Sequence, residues 1–167
     1  MRVDLSDSAS EQASPPKATM EKVDQFVYYA ASQKHAVLTY EASAMVLAVH
    51  SDASYLSKSK ARSRAGGHFF ISKDVSFPPN NGAVINIAQI MKTVMYSAPE
   101  AEIGAMYVNV RKAVPARKIL DEMSHRQPRT PMQTDNSAVH SVVTNNVQLK
   151  RTKEMDMRFY WLRCRDA

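Results

Sequence analysis

Three carboxylates stand where an isolated acid is costly. Asp52 follows the nearly continuous apolar run 44–50, Ala-Met-Val-Leu-Ala-Val-His, which reads as a buried strand. Glu102 falls in the first turns of a helix predicted from Ser97 onward, and Asp135 closes a short strand pattern, Pro131-Met132-Gln133-Thr134. A carboxylate leaving a hydrophobic strand carries a desolvation penalty unless positive charge meets it. Three that converged would repel one another, and a divalent cation is the usual resolution, with oxygen ligands suiting Mg²⁺ or Mn²⁺. Two such ions, about 4 Å apart, activate a water and stabilise the leaving oxygen of a phosphodiester. Each acid also has a plainer reading. Asp52 suits a turn in Ser-Asp-Ala-Ser, Glu102 suits the positive end of a helix dipole, and Asp135 suits the N-cap of a helix starting at Asn136.

The elements that must position these acids follow from patterning. Residues 1–18 hold four serines, two prolines and three acids, too little apolar surface to order themselves, and read as a disordered tail. Met20, Val23, Phe26, Val27, Ala30 and Ala31 recur at helical spacing and predict a helix near 19–33. A short strand is expected at 36–40. The 44–50 strand should end at Ser51-Asp52-Ala53-Ser54 and pass into a basic, Ser-rich turn with Lys58, Lys60, Arg62 and Arg64, then Gly66-Gly67. A second strand is predicted at 68–72, a turn at Pro78-Pro79-Asn80-Asn81-Gly82 and a third strand at 83–88, giving an antiparallel meander.

Ser97 and Glu100 then form a capping box, with Pro99 tolerated in the first turn. Ile103, Met106, Tyr107, Val110 and Val114 make the apolar stripe, and Pro115 is expected to end or kink the helix, with 116–123 continuing as another. Helical patterns recur at 136–144 and 153–165, where Met155, Phe159 and Leu162 share a face. The fold class is therefore α/β: a three-stranded antiparallel meander followed by alternating helices and strand. The order strand-end Asp, meander, helix Glu, strand-end Asp is the one a ribonuclease H-like sheet needs to bring three acids together.

Composition narrows the chemistry. The chain has 167 residues, 44% hydrophobic and 23% charged, enough for one domain with its own core. It carries 22 Lys+Arg against 16 Asp+Glu, a formal +6 that favours a polyanionic partner. One cysteine, Cys164, excludes an internal disulfide framework or a Cys-rich zinc site. The five histidines show no ligand spacing, and His50 reads as structural. No run approaches the ~18 apolar residues that span a bilayer, and the start lacks a secretory core, so an intracellular location is expected, cytoplasmic or nuclear, with no membrane partner. The basic residues Lys58, Lys60, Arg62 and Arg64, and again Lys150, Arg151 and Lys153, are candidate nucleic-acid contacts through phosphate. Arg111, Lys112, Arg117 and Lys118 read as ordinary surface, the ten methionines as core filling, and Trp161 as core or rim.

Five blocks carry a resemblance. His50-Ser51-Asp52-Ala53-Ser54-Tyr55 and Arg64-Ala65-Gly66-Gly67-His68-Phe69-Phe70 resemble the start of the ribonuclease H domain of copia-type LTR retrotransposon Pol polyproteins. Ser97-Ala98-Pro99-Glu100-Ala101-Glu102-Ile103 resembles that family's S-x-x-E-A-E-Y block, and Thr134-Asp135-Asn136-Ser137-Ala138 its C-D-N-x-x-A block. Residues 151–159, Arg-Thr-Lys-Glu-Met-Asp-Met-Arg-Phe, resemble its R-T-K-H-I-D-I-R-Y-H signature. The blocks run in order from about residue 45 to 163, and 19–44 resembles the connection that follows a reverse transcriptase.

The resemblance implies a ribonuclease H-like fold over 45–167 and metal-dependent hydrolysis of the RNA strand of RNA–DNA hybrids. It assigns Asp52, Glu102 and Asp135 as catalytic metal ligands for two Mg²⁺ or Mn²⁺ ions, and covalently linked reverse transcriptase and integrase as partners. Glu102 is preferred to Glu100, which the cap occupies. The family's final strand and a fourth acid lie beyond Arg163-Cys164-Arg165-Asp166-Ala167, so a truncated domain with impaired activity is expected. Asp156 belongs to the preceding helix and does not replace that acid. The alternative is a non-catalytic transposon remnant that keeps the fold and at most binds nucleic acid. An integrase is disfavoured by the blocks and by the lack of an upstream His-His-Cys-Cys zinc module.

Overall fold

The computed structural model describes residues 5, 8, 9, 11–58, 61–135, 161, 162 and 164. The chain divides into two units, 1–39 and 40–167. The first unit contains helix α1, Lys17–Ser32, close to the predicted span. Its Val23 and Phe26 are half-buried, while Met20, Val27, Tyr28 and Tyr29 are exposed.

The second unit is mixed α/β. Strands β1 (Val46–Lys58), β2 (Arg62–Ser72) and β3 (Ala83–Ile90) are followed by helix α2 (Ala98–Glu122) and strand β4 (Met132–Gln133). The sheet order is β3-β2-β1-β4. The first three strands form the expected antiparallel meander, and β4 joins the far edge of β1 in parallel, Val49 opposite Met132 and His50 opposite Gln133.

Three expectations are corrected. Residues 36–40 form no strand. At the start of the second unit, side chains take the place of a ladder: Tyr40 donates its hydroxyl to Ala83 O at 3.1 Å, and Asn81 brackets the backbone of Glu41. Second, β1 does not stop at Ser51–Ser54. It runs on to Lys58, because 51–54 pair residue by residue with 64–67 of β2. Good turn chemistry loses here to a long ladder, and the reversal moves outward. Third, of the two outcomes expected at Pro115, an end is excluded: α2 runs through it to Glu122, and 116–122 is not a separate helix. Proline removes one donor, to the carbonyl four residues back. Pro115 and Arg111 are both exposed, so water can satisfy the freed carbonyl.

Ser97 caps α2, accepting Glu100 N–H at 3.3 Å, and the Glu100 carboxylate reaches back to Tyr96 N–H at 2.7 Å. The helix buries Ala101, Ile103, Ala105, Met106 and Ala113. Ala101 and Ala105 pack with Ala65, Met91 and Met95; Ala113 packs with Leu47, Val49 and Phe69; Ile103 and Met106 pack with Leu162. Trp161 meets Tyr107 edge-on, rings 5.2 Å apart. Val114, expected on the stripe, is exposed, and Asn109 is buried. The helices predicted at 136–144 and 153–165 otherwise lie outside the described residues. No helix among the described residues is long and apolar enough to cross a membrane.

Candidate metal centre

Extending β1 changes the setting of Asp52. It sits within the strand, paired with Gly66, two residues past the last β4 partner, His50. Beyond that point β4 no longer covers the edge of β1. Asp135 follows directly, just after β4. Glu102 comes from the second turn of α2, which packs on the sheet through its alanines.

These three acids meet. One carboxylate oxygen from each of Asp52, Glu102 and Asp135 lies within 4.8 Å of the others. Asp52 and Asp135 are exposed, whereas Glu102 is buried at 8% exposure. Burial pushes the Glu102 carboxyl up to about 7; Asp52 adds to the rise, a hydrogen bond from the Ala53 backbone opposes it, and Asp135 raises it a little further. Glu102 Oε2 is buried with no hydrogen-bond partner among the described residues. An orphaned carboxylate oxygen facing two more acids is the donor set of a hard divalent cation, and these residues fit one. Glu100 is engaged in the helix cap, which leaves Glu102 for the cluster.

The basic candidates are distributed differently. Arg62 is exposed near the β1–β2 reversal, whereas Arg64, grouped with the turn on sequence, is a buried strand residue at 2% exposure. Lys60, Lys150, Arg151, Lys153 and the side chain of Lys58 lie outside the described residues.

His50 belongs to a separate aromatic group with His68 and Phe70, its ring edge-on to Phe70 at 5.0 Å. Burial lowers its pKa, a Gln133 hydrogen bond opposes this, and nearby His68 lowers it further. A neutral imidazole packed on Phe70 fits the structural reading. Cys164 is a free, exposed thiol.

Sequence reasoning missed Asn109 and Gln127. Gln127 accepts Leu47 N–H at 2.9 Å and donates to Met45 O and His125 O, fastening the start of β1 to the segment leading into β4. A polar residue in a loop gives no periodic signal. Asn109 was discoverable, since it falls two turns after Glu102 on the buried face of the same helix.

No protein-family model matches the chain, and no curated protein or solved structure matches it.

Proposed function

We propose that this chain is a ribonuclease H-like domain of a copia-type LTR retrotransposon polyprotein, hydrolysing the RNA strand of RNA–DNA hybrids with Mg²⁺ or Mn²⁺ at Asp52, Glu102 and Asp135. The observation that carries the reading is the convergence of these three acids, from β1, α2 and the end of β4, to within 4.8 Å. The antiparallel meander with a parallel fourth strand beside β1 supports it, being an arrangement that a ribonuclease H-like sheet shares.

Bound there, divalent cations would activate a water and stabilise the leaving oxygen of the phosphodiester. The chain's own residues supply the rest. Asp52 and Asp135, exposed, would hold the ion from the solvent side; Glu102, buried beside the Ala53 backbone, would hold it from the helix side once deprotonated. Arg62, exposed at the start of β2, is a candidate contact to the phosphate backbone of a hybrid. Hybrid recognition would read backbone shape and 2′-hydroxyls across the minor groove.

The test is cleavage of a labelled RNA–DNA hybrid with Mg²⁺ or Mn²⁺, comparing the chain with Asp52→Asn. Products with 5′-phosphate and 3′-hydroxyl ends, abolished by the substitution, are expected. A folded chain that leaves the hybrid intact, or cleavage indifferent to Asp52, overturns the catalytic reading.

A further inference from the structure

Asn109 lies at the centre of the interface between α2 and the sheet, with 0% exposure. Its Nδ2 donates to Ser51 Oγ at 2.8 Å and to Gly66 O at 2.8 Å. Ser51 is the chain neighbour of Asp52, and Gly66 is the β2 residue paired with Asp52. One amide thus grips β1 and β2 at the register of the acid.

The same amide carries a cost. Asn109 Oδ1 is buried with no hydrogen-bond partner among the described residues. It fills the space that a side chain at position 67 would need: a Cβ on Gly67 would overlap Asn109 Oδ1 and come within 2.9 Å of its Cγ. A buried, half-satisfied amide is a costly choice for packing alone, because its two hydrogen bonds offset only part of its desolvation. What the amide adds is direction. The neighbouring contacts of α2 with the sheet, Ala101 and Ala105 on Ala65 and Ala113 on Val49 and Phe69, are apolar and tolerate sliding or rolling. Two hydrogen bonds to different strands do not.

The spacing connects this grip to the acids. Glu102 and Asn109 are seven residues apart, two turns on nearly one helix face. A rotation or shift of α2 at Asn109 is therefore carried to Glu102, which must arrive at Asp52 and Asp135 together. We propose that Asn109 is a positioning residue for the acidic centre: by clamping α2 to Ser51 and Gly66, it sets the place at which Glu102 is presented to Asp52. This rests on the metal-centre reading of the three acids.

The experiment titrates Mn²⁺ into the full chain and follows the free-ion EPR signal, for wild type, Asn109→Ala and Leu47→Ala, with folding checked by circular dichroism. Leu47→Ala removes core packing five residues before Asp52 and controls for simple loss of stability. Mn²⁺ affinity should fall about 10-fold or more in Asn109→Ala, the scale typical of residues that orient metal ligands, and stay near wild type in Leu47→Ala. Equal affinity in folded Asn109→Ala and wild type overturns the positioning role and leaves the metal centre standing. Wild type that binds no Mn²⁺ overturns the metal-centre reading itself, and this inference with it. Equal losses in both variants assign the effect to stability and also overturn the proposal. If Asn109→Ala fails to fold, Ser51→Ala, which removes one partner, and Gly67→Ala, which crowds the amide from the sheet side, decide the question by the same titration.

Discussion

The Glu102 carboxylate hydrogen-bonds the backbone N–H of Ala53, the residue after Asp52. It continues a row of satisfied donors along one edge of β1. Leu47 N–H is taken by Gln127 Oε1, and Val49 N–H by Pro131 O. Strand β4 reaches only as far as His50, so a side chain takes over where the strand stops. An edge with no further strand to pair among the described residues would otherwise strand its donors. Here it becomes a fixing point for an acid.

This placement predicts an unusual pH dependence. Glu102 is held up at about 7, chiefly by burial and then by Asp52, against an ordinary value of 4.5. A raised carboxyl binds more protons in the folded state than in the unfolded state between those values. Stability therefore falls as pH rises from about 4.5 to 7, by on the order of 3 kcal/mol for a shift of this size, and levels off above it. Urea titrations of the metal-free chain at pH 5, 6, 7 and 8 measure the slope. Glu102→Gln should flatten it and be the more stable chain at pH 8. A slope unchanged by the substitution would assign the dependence elsewhere.

A cation at the centre should reverse that cost. Mn²⁺ at 100 times its dissociation constant stabilises the folded state by about 2.7 kcal/mol. The gain should be larger at pH 8 than at pH 6, because Glu102 must lose its proton to become a ligand. Thermal melts with and without Mn²⁺ at the two pH values test this. Asp52→Asn and Asp135→Asn should each remove most of the gain. A gain that survives both places the ion elsewhere.

Gln127→Ala should cost about 1–3 kcal/mol, because it strands the buried Leu47 N–H and removes the amide from Met45 O and His125 O. Denaturant midpoints with an unchanged m-value give the number. A loss below about 0.5 kcal/mol would mean that water replaces the amide, the size expected of an ordinary surface change.

The acids and the meander were legible because each has a local signature. The apolar run before Asp52, the cap that occupies Glu100 and the turn at 78–82 all read from neighbours in the sequence. The early end of β1 failed because a local preference was outweighed. Ser51–Ser54 carries good turn residues, yet its pairing with 64–67 is a tertiary fact that outweighs local preference. Arg64 was misplaced by the same error: once β2 starts at Arg62, it becomes a strand residue and is buried. Pro115 misled because its cost depends on whether the freed carbonyl meets water. Asn109 and Gln127 act across 58 and 80 residues of sequence, through partners no local pattern names.

Asn81 is a further long-range tie, and its chemistry makes a discriminating test. Its Oδ1 accepts from Glu41 N–H and Gly82 N–H, both at 2.8 Å, and its Nδ2 donates to Glu41 O at 2.9 Å and Ile71 O at 2.8 Å. One side chain thus joins the segment before β1 to the end of β2 and the start of β3. Asn81→Ala removes all four bonds, and the expected loss is about 1–3 kcal/mol because part of this site is reached by water. Asn81→Asp keeps the acceptors but sets a carboxylate oxygen against the Glu41 and Ile71 carbonyls, so it should rescue little. Hydrogen exchange locates the effect. Protection should drop at Glu41 and Gly82 and persist in the β1–β2 ladder around Val49 and Phe69, which the core of α2 holds independently. Protection lost throughout the sheet would show that the meander depends on this tie, and the separation between the two regions would be wrong.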